Sequence, residues 1–155
     1  MLSIETLVPG FDKALAAVPG GMETAQVLER SVDEASLSPR TSALIRVAVA
    51  QRVGHPYARW AMGRIAARQA VSSEDIFLAT LPSARDAVEN VILQSAVRMA
   101  SSGRRTHPCE FDALAHLLGE ERATEVVAQV ALAMLACEAL AAIAPATGAT
   151  SRKGA

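Results

Sequence analysis

Aromatic residues and cysteines are scarce in this chain of 155 residues: 3% are aromatic, and Cys109 and Cys137 are the only cysteines. Because 51% of the residues are nonetheless hydrophobic, alanine, valine and leucine must fill the core, and such small side chains favour closely approaching helices. A chain of this length buries enough surface to fold without a disulfide or a structural metal. The composition therefore predicts one domain with no cofactor and no metal.

An excess of charge of one sign is also lacking. The formal net charge is -1, and no run of lysine or arginine marks a surface that would follow a phosphate backbone. The chain contains no phosphate-binding glycine loop, no Gly-x-Ser-x-Gly elbow and no secretory leader. We therefore expect no nucleic-acid partner and a cytoplasmic location.

One segment, residues 126–145, is long and apolar enough to be compared with a membrane span. It is rich in alanine, which gains little from lipid, and it contains Gln129 and Glu138. A glutamate well inside a span costs roughly 2.5 to 3.5 kcal/mol. The segment is therefore predicted to be a buried helix, in the core or between subunits, and not a membrane anchor.

Helical periodicity dominates, and no stretch of alternating β-branched residues competes as a strand. The predicted class is all-α, with about seven or eight helices in one domain, residues 1–145. Residues 146–155 contain no large apolar side chain and are expected to fray. The predicted helices are residues 11–18, 22–34, 39–53, 56–69, 73–81, 83–100, 110–118 and 120–143.

Several helix starts and stops can be read from single residues. Ser38 can cap the third helix with Pro39 at its first position, and Pro56 can open the helix that follows. Ser72 precedes two acidic residues, which a helix dipole favours in the first turn. Gly119 is a typical stop between the last two helices.

These starts and stops carry motifs that resemble the AhpD-like (carboxymuconolactone decarboxylase) family. The resemblance covers residues 37–143 and implies an all-α protomer that assembles as a trimer or a dimer-based hexamer, with active sites beside the central helices. The similar motifs are Leu37-Ser38-Pro39-Arg40-Thr41, Gly54-His55-Pro56-Tyr57, Ser73-Glu74-Asp75-Ile76, Phe111-Asp112 and Leu118-Gly119-Glu120.

The catalytic residues that the resemblance implies are not present. The family's peroxidases use a Cys-x-x-Cys pair, a histidine four residues later and a glutamate on the preceding helix; here those positions hold His55, Ala58, Met62 and Ala43. Peroxide reduction needs an attacking thiolate, a resolving thiol and a base. We therefore predict no peroxidase activity by this route. The decarboxylase branch keeps a histidine at the Met62 position, so that activity is also disfavoured.

Some residues near these positions remain candidates for chemistry. His55 is proton-active near neutral pH and could act as a base, although a lone loop histidine is more often solvated. Cys109 could be an acidified, reactive thiol at a helix start. Pocket candidates are Gln51, Tyr57, Arg59, Trp60, Arg64 and Arg68, although packing is the commoner explanation for the two aromatic residues and a solvated surface for the arginines.

Three functional hypotheses follow. The first is a redox-inactive AhpD-like protein that forms a homo-oligomer and binds a small molecule or serves assembly. The second is a decarboxylase or other lyase that acts on a small carboxylic acid, with His55 as base and an arginine as anchor. The third is a thiol-dependent activity of Cys109. A pocket beside Ala43, Ala58 and Met62 that contains His55 and an arginine would favour the second hypothesis over the first.

Overall fold

The computed structural model describes residues 36–101 and 108–148, together with a few isolated residues before residue 36. In these ranges the regular secondary structure is all α-helix, which confirms the all-α prediction. The predicted helices at 11–18 and 22–34 lie almost wholly outside the described residues. The described helices are α1 (Pro39–Val53), α2 (Pro56–Arg68), α3 (Ser73–Thr80), α4 (Ala87–Ser101), α5 (Pro108–Leu118) and α6 (Glu120–Gly148).

Helix α1 begins and ends as the sequence predicts. The Ser38 side chain accepts a hydrogen bond from the Thr41 amide at 3.0 Å, and Pro39 occupies the first position, where no amide donor is needed. Gly54 follows Val53 with φ at 84°, and its amide donates to the Ala50 carbonyl. A left-handed residue at this place favours glycine, because a Cβ there is strained.

Helix α2 ends in a left-handed turn that the sequence does not announce. Ala70 has φ at 59°; its amide donates to the Ala67 carbonyl, and the Val71 amide donates to the Ala66 carbonyl. This is the Schellman arrangement, with alanine where glycine is usual. The turn places Val71 in the core and directs the chain towards α3.

Helices α3 and α4 differ from the predicted boundaries. Ser72 caps α3 by accepting from the Asp75 amide, as expected, but α4 begins at Ala87 and not at Ser83. The side chain of Asp86 accepts a hydrogen bond from the Glu89 amide at 2.8 Å. Asp86 is therefore the capping residue, and the start predicted at Ser83 is wrong by four residues.

The last two helices are joined by Gly119 alone, with φ at 88°, as predicted. Helix α6 runs to Gly148, five residues beyond its predicted end and past Pro145. Proline removes one helical hydrogen bond, but here it does not end the helix. The predicted frayed tail therefore loses its first three residues to α6, and residues 149–155 lie outside the described part of the chain.

Helix α1 is the centre of the fold. It packs against α2, α3, α4 and α6, while α5 packs mainly on α6. Its side chains are buried on nearly every face, as its uniformly apolar sequence predicts. The largest fully buried side chains come from four helices and are Leu44, Ile45, Val49, Leu93, Leu114, Val126 and Cys137.

Candidate functional site

The AhpD-like resemblance assigns the thiol chemistry to four positions, which we call the relay positions, and three of them lie inside the apolar core. Ala43 on α1 is 1% exposed, and Ala58 and Met62 on α2 are 0% and 3% exposed. All three belong to one cluster of buried hydrophobic side chains. None of these side chains can carry a proton or form a disulfide, so the place where the family's chemistry would occur is occupied by packing contacts.

His55 lies at the edge of this cluster. It is the residue before α2 and is half-buried; its side chain makes no capping hydrogen bond. Its carbonyl accepts from the Arg59 amide at 3.0 Å, while Nδ1 is buried without a hydrogen-bond partner in the described part of the chain. His55 therefore has a backbone role at the start of α2.

The pocket candidates on α2 lie on its outer surface. Trp60 is 53% exposed; its ring stacks on Tyr57 with the ring centres 5.6 Å apart. The guanidinium of Arg64 lies 5.8 Å from the centre of the Trp60 ring. Arg59, which precedes Trp60, is exposed. These residues form a cation–aromatic stack on a convex helix face, where a small molecule finds little enclosure.

The remaining pocket candidates, Gln51 on α1 and Arg68 on α2, are both exposed. The structure brings Tyr57, Trp60 and Arg64 together. The arginines of α2 are exposed, whereas Ala43, Ala58 and Met62 are buried. The lyase hypothesis stays a prediction.

The two cysteines have opposite environments. Cys109, in the first turn of α5, is exposed, whereas Cys137 is fully buried in α6, as predicted. Burial raises the pKa of the Cys137 thiol to about 11, and the nearby charge of Glu138 adds to this shift. Because the thiolate is the reactive form, Cys137 is inert in the folded protein.

We expect a thiol reagent such as 5,5′-dithiobis(2-nitrobenzoate) to titrate one thiol in the native protein at neutral pH and two in denaturant. Cys109→Ser should remove the native signal and leave the second thiol to appear only on unfolding. Cys137→Ser, the matched control, should keep the native signal. Two equivalents of fast reaction in the folded wild type would show that Cys137 is not packed as described.

A polar cluster that sequence reasoning did not identify joins α1, α3 and α4. The guanidinium of Arg40 contacts Asp75 at 3.0 Å and Glu89 at 3.4 Å. Thr41 Oγ1 donates to Glu89 at 3.0 Å, and Ser72 Oγ donates to Asp75 at 2.6 Å. The donors lower the pKa of Asp75 from 3.8 to about 2, Arg40 contributing most. This Arg40 cluster ties three helix starts together.

A second polar contact fixes the residues before α1. The carboxylate of Glu125 on α6 accepts from the amide and hydroxyl of Ser36, each at 2.8 Å, and from the Leu37 amide at 3.0 Å. Burial opposes ionisation of Glu125, but these hydrogen bonds outweigh it and lower its pKa. The contact anchors the start of α1 to α6.

Two further observations bear on function. No group of three histidine, cysteine or carboxylate side chains within the described residues is placed to hold a metal ion. Residues Glu120–Ala142 of α6 have a mean hydropathy of 1.7 and are long enough to cross a membrane, a test that the core helix of a soluble protein also passes. Only 33% of the most apolar window of this helix is buried, which is less than the sequence predicts for a core helix.

Comparisons with known protein families, with curated proteins and with solved structures gave no match to this chain.

Proposed function

We propose that this chain is a redox-inactive protein on an AhpD-like helical scaffold, and that its role is assembly into a homo-oligomer in the cytoplasm. The observation that carries the proposal is the burial of Ala43, Ala58 and Met62 in one apolar cluster. An active site needs side chains that transfer protons or electrons and a space for the substrate. The relay positions offer packing contacts instead.

The motifs that carry the resemblance act locally as that scaffold requires. Ser38 and Ser72 cap α1 and α3, Gly54 ends α1, and Gly119 joins α5 to α6. These residues set the directions of the helices and need no catalytic partner. A scaffold with such determinants can persist after its chemistry is lost, because fold and function depend on different residues.

The surface supports assembly more than it supports binding of a small molecule. Large apolar side chains are exposed on α2, α3, α5 and α6, among them Trp60, Phe77, Leu117 and Leu135. Tryptophan beside tyrosine and arginine, as on α2, is the composition typical of the centre of a protein interface. The lyase alternative has less support, because the arginines of α2 are exposed while Ala43, Ala58 and Met62 are buried.

The proposal is tested by two measurements on the purified protein. Turnover of an organic hydroperoxide with a dithiol donor should not exceed the uncatalysed rate, either in the wild type or in Cys109→Ser. Static light scattering at high protein concentration should give a mass of at least twice the 16.2 kDa of one chain.

Each measurement can overturn one part of the proposal. Hydroperoxide turnover that persists in Cys109→Ser would show a redox site that does not use this thiol. Turnover that this substitution abolishes would establish the thiol-dependent hypothesis instead. A monomer at all concentrations would remove the assembly role.

A further inference from the structure

Helix α6 has two apolar faces, and only one of them is covered within the protomer. The covered face packs on the other helices and consists of Ala123, Val126, Val130, Ala133, Cys137 and Leu140. On the opposite side, Leu135 is 53% exposed, and its neighbours are mostly alanine. The exposed residues of this outer face of α6 are Thr124, Ala128, Ala131, Leu135, Glu138 and Ala142, flanked by the half-buried Val127, Met134 and Ala139.

The spacing of the outer face is that of a helix–helix contact. The exposed positions follow one another at intervals of four, three, four, three and four residues from Thr124 to Ala142. This alternation is the spacing of the core positions of a coiled coil, and it keeps one stripe facing a partner helix over five turns. Alanine at several of these positions lets two helix backbones approach within about 8 Å.

The outer face of α6 is complementary to itself when the α6 of a second copy lies antiparallel to it. If the two-fold axis lies at the level of residue 133, four of the larger or polar residues of one α6 each face an alanine of the other, while Met134 faces Leu132. Large side chains then fill the space left by small ones on both sides of the axis. The facing pairs are Leu135 with Ala131, Glu138 with Ala128, Thr124 with Ala142, and Val127 with Ala139.

The charge on the stripe argues against lipid as its partner. Glu138 lies on the outer face, four residues before its last exposed position, and a carboxylate within hydrocarbon is costly. Between two protein helices, the long glutamate side chain can pass over a facing alanine and keep its carboxylate at the rim, in water. The outer face therefore fits a protein helix with small residues opposite Glu138, which its own second copy provides.

The size of the stripe sets the expected strength. Nineteen residues of helix are about 28 Å long, and a contact strip about 10 Å wide then covers roughly 280 Å² in projection. A standard interface buries about 800 Å² on each partner, so this contact alone would give a reversible dimer.

We infer that the outer face of α6 is the surface on which two copies of this chain associate, antiparallel and about a two-fold axis near residue 133. The inference rests on the proposed assembly role and names its surface and partner.

Sedimentation equilibrium from about 1 to about 300 micromolar should show a concentration-dependent dimer of the wild type. Leu135→Glu should weaken dimerisation by about 100-fold, since it removes the largest exposed apolar side chain of the outer face and brings two carboxylates, one from each copy, close to the two-fold axis. Leu81→Glu, which changes a leucine of similar exposure just after α3, is the matched control and should leave the dimer constant unchanged. Circular dichroism of each variant checks that the fold is kept.

The orientation is tested by cross-linking in the Cys109→Ser background. Ala128→Cys and Glu138→Cys protein should form disulfide-linked dimers rapidly when mixed, because these positions face each other across the antiparallel contact, and slowly when each is oxidised alone. Rapid cross-linking of Ala128→Cys by itself would indicate a parallel pair and overturn the register.

The remaining outcomes separate this inference from the proposed function. An oligomer that Leu135→Glu does not weaken would overturn the α6 contact and leave the assembly role in place. A monomer at every concentration would overturn both. A monomer that instead co-sediments with phosphatidylcholine vesicles, in a manner that Leu135→Glu abolishes, would assign the stripe to lipid and not to a second copy.

Discussion

Replacing Asp75 with alanine should lower the free energy of unfolding by about 2 to 3 kcal/mol. Asp75 accepts hydrogen bonds from Arg40 and Ser72, and its loss leaves the Arg40 guanidinium without its nearest partner. It also loosens the first turn of α3, where Ser72 and Asp75 bond reciprocally. Chemical denaturation of the two proteins measures the difference, and Asp112→Ala, which removes an exposed aspartate on α5, should change it by less than about 0.5 kcal/mol.

The same residue gives a pH dependence whose sign can be stated. The pKa of Asp75 is lowered from 3.8 to about 2 in the folded protein, so the unfolded chain takes up a proton at a higher pH than the folded one. Its stabilising contribution is therefore complete above pH 4 and is lost as the pH falls towards 2. Because Arg40 is partly exposed and screened by solvent, we expect about 1 to 2 kcal/mol from this source.

Asp75→Asn is the variant that isolates this effect. It keeps the shape of the side chain but cannot ionise, so the difference in unfolding free energy between wild type and Asp75→Asn should shrink from neutral pH to pH 2. A difference that stays constant over this range would mean that the carboxylate charge adds nothing, and that the Arg40 cluster acts through neutral hydrogen bonds alone.

The helix ends are the part of this fold that the sequence predicts best. A serine cap, a proline at the first helical position and a glycine with positive φ each act within four residues, so Ser38, Pro39, Gly54 and Gly119 can be interpreted without knowing the rest of the molecule. The predicted start of α4 at Ser83 is wrong because two residues that can cap a helix, Ser83 and Asp86, lie three positions apart. Local sequence does not distinguish them, and in the structure Asp86 caps the helix.

Contacts between distant residues could not be predicted in this way. Arg40 meets Asp75 and Glu89 across 35 and 49 positions of sequence, and nothing local distinguishes these carboxylates from the others in the chain. Helix α6 shows a second limit of prediction from the sequence. Its composition predicts a helix buried on most faces, but composition cannot say whether the cover is the same chain or another copy, and within the protomer the outer face is open.

The sequence identifies which residues to examine for a site, but it does not predict how those residues are packed. The resemblance identifies Ala43, Ala58 and Met62 as the positions to inspect, and their residue types already exclude a thiol relay. Whether a pocket remained beside them depended on how closely α1 and α2 approach, which no single segment encodes. Their burial in one apolar cluster is a finding that only the structure supplies.

The closeness of that packing leads to the second large effect, which is expected for Ala43→Glu. This substitution restores the carboxylate that the family resemblance assigns to the position, but it places that carboxylate at a site that is 1% exposed and enclosed by apolar side chains. Both the added volume and the unpaired charge oppose folding, and we expect a loss of about 3 to 5 kcal/mol in the free energy of unfolding. Ala67→Glu, on the exposed side of α2, is the matched control and should be close to neutral.

The two contributions can be separated, and the separation tests the proposed function. Ala43→Gln adds the same volume without the charge, so its loss of stability measures the packing term. A buried glutamate has a raised folded pKa, so the penalty for Ala43→Glu relative to Ala43→Gln should be present at neutral pH and should vanish below about pH 4. If Ala43→Glu instead folds with less than about 1 kcal/mol of loss and remains ionised at neutral pH, the position must have access to water or a polar partner. Position 43 would then be able to hold a catalytic carboxylate, and the proposal of a redox-inactive protein would lose the observation that carries it.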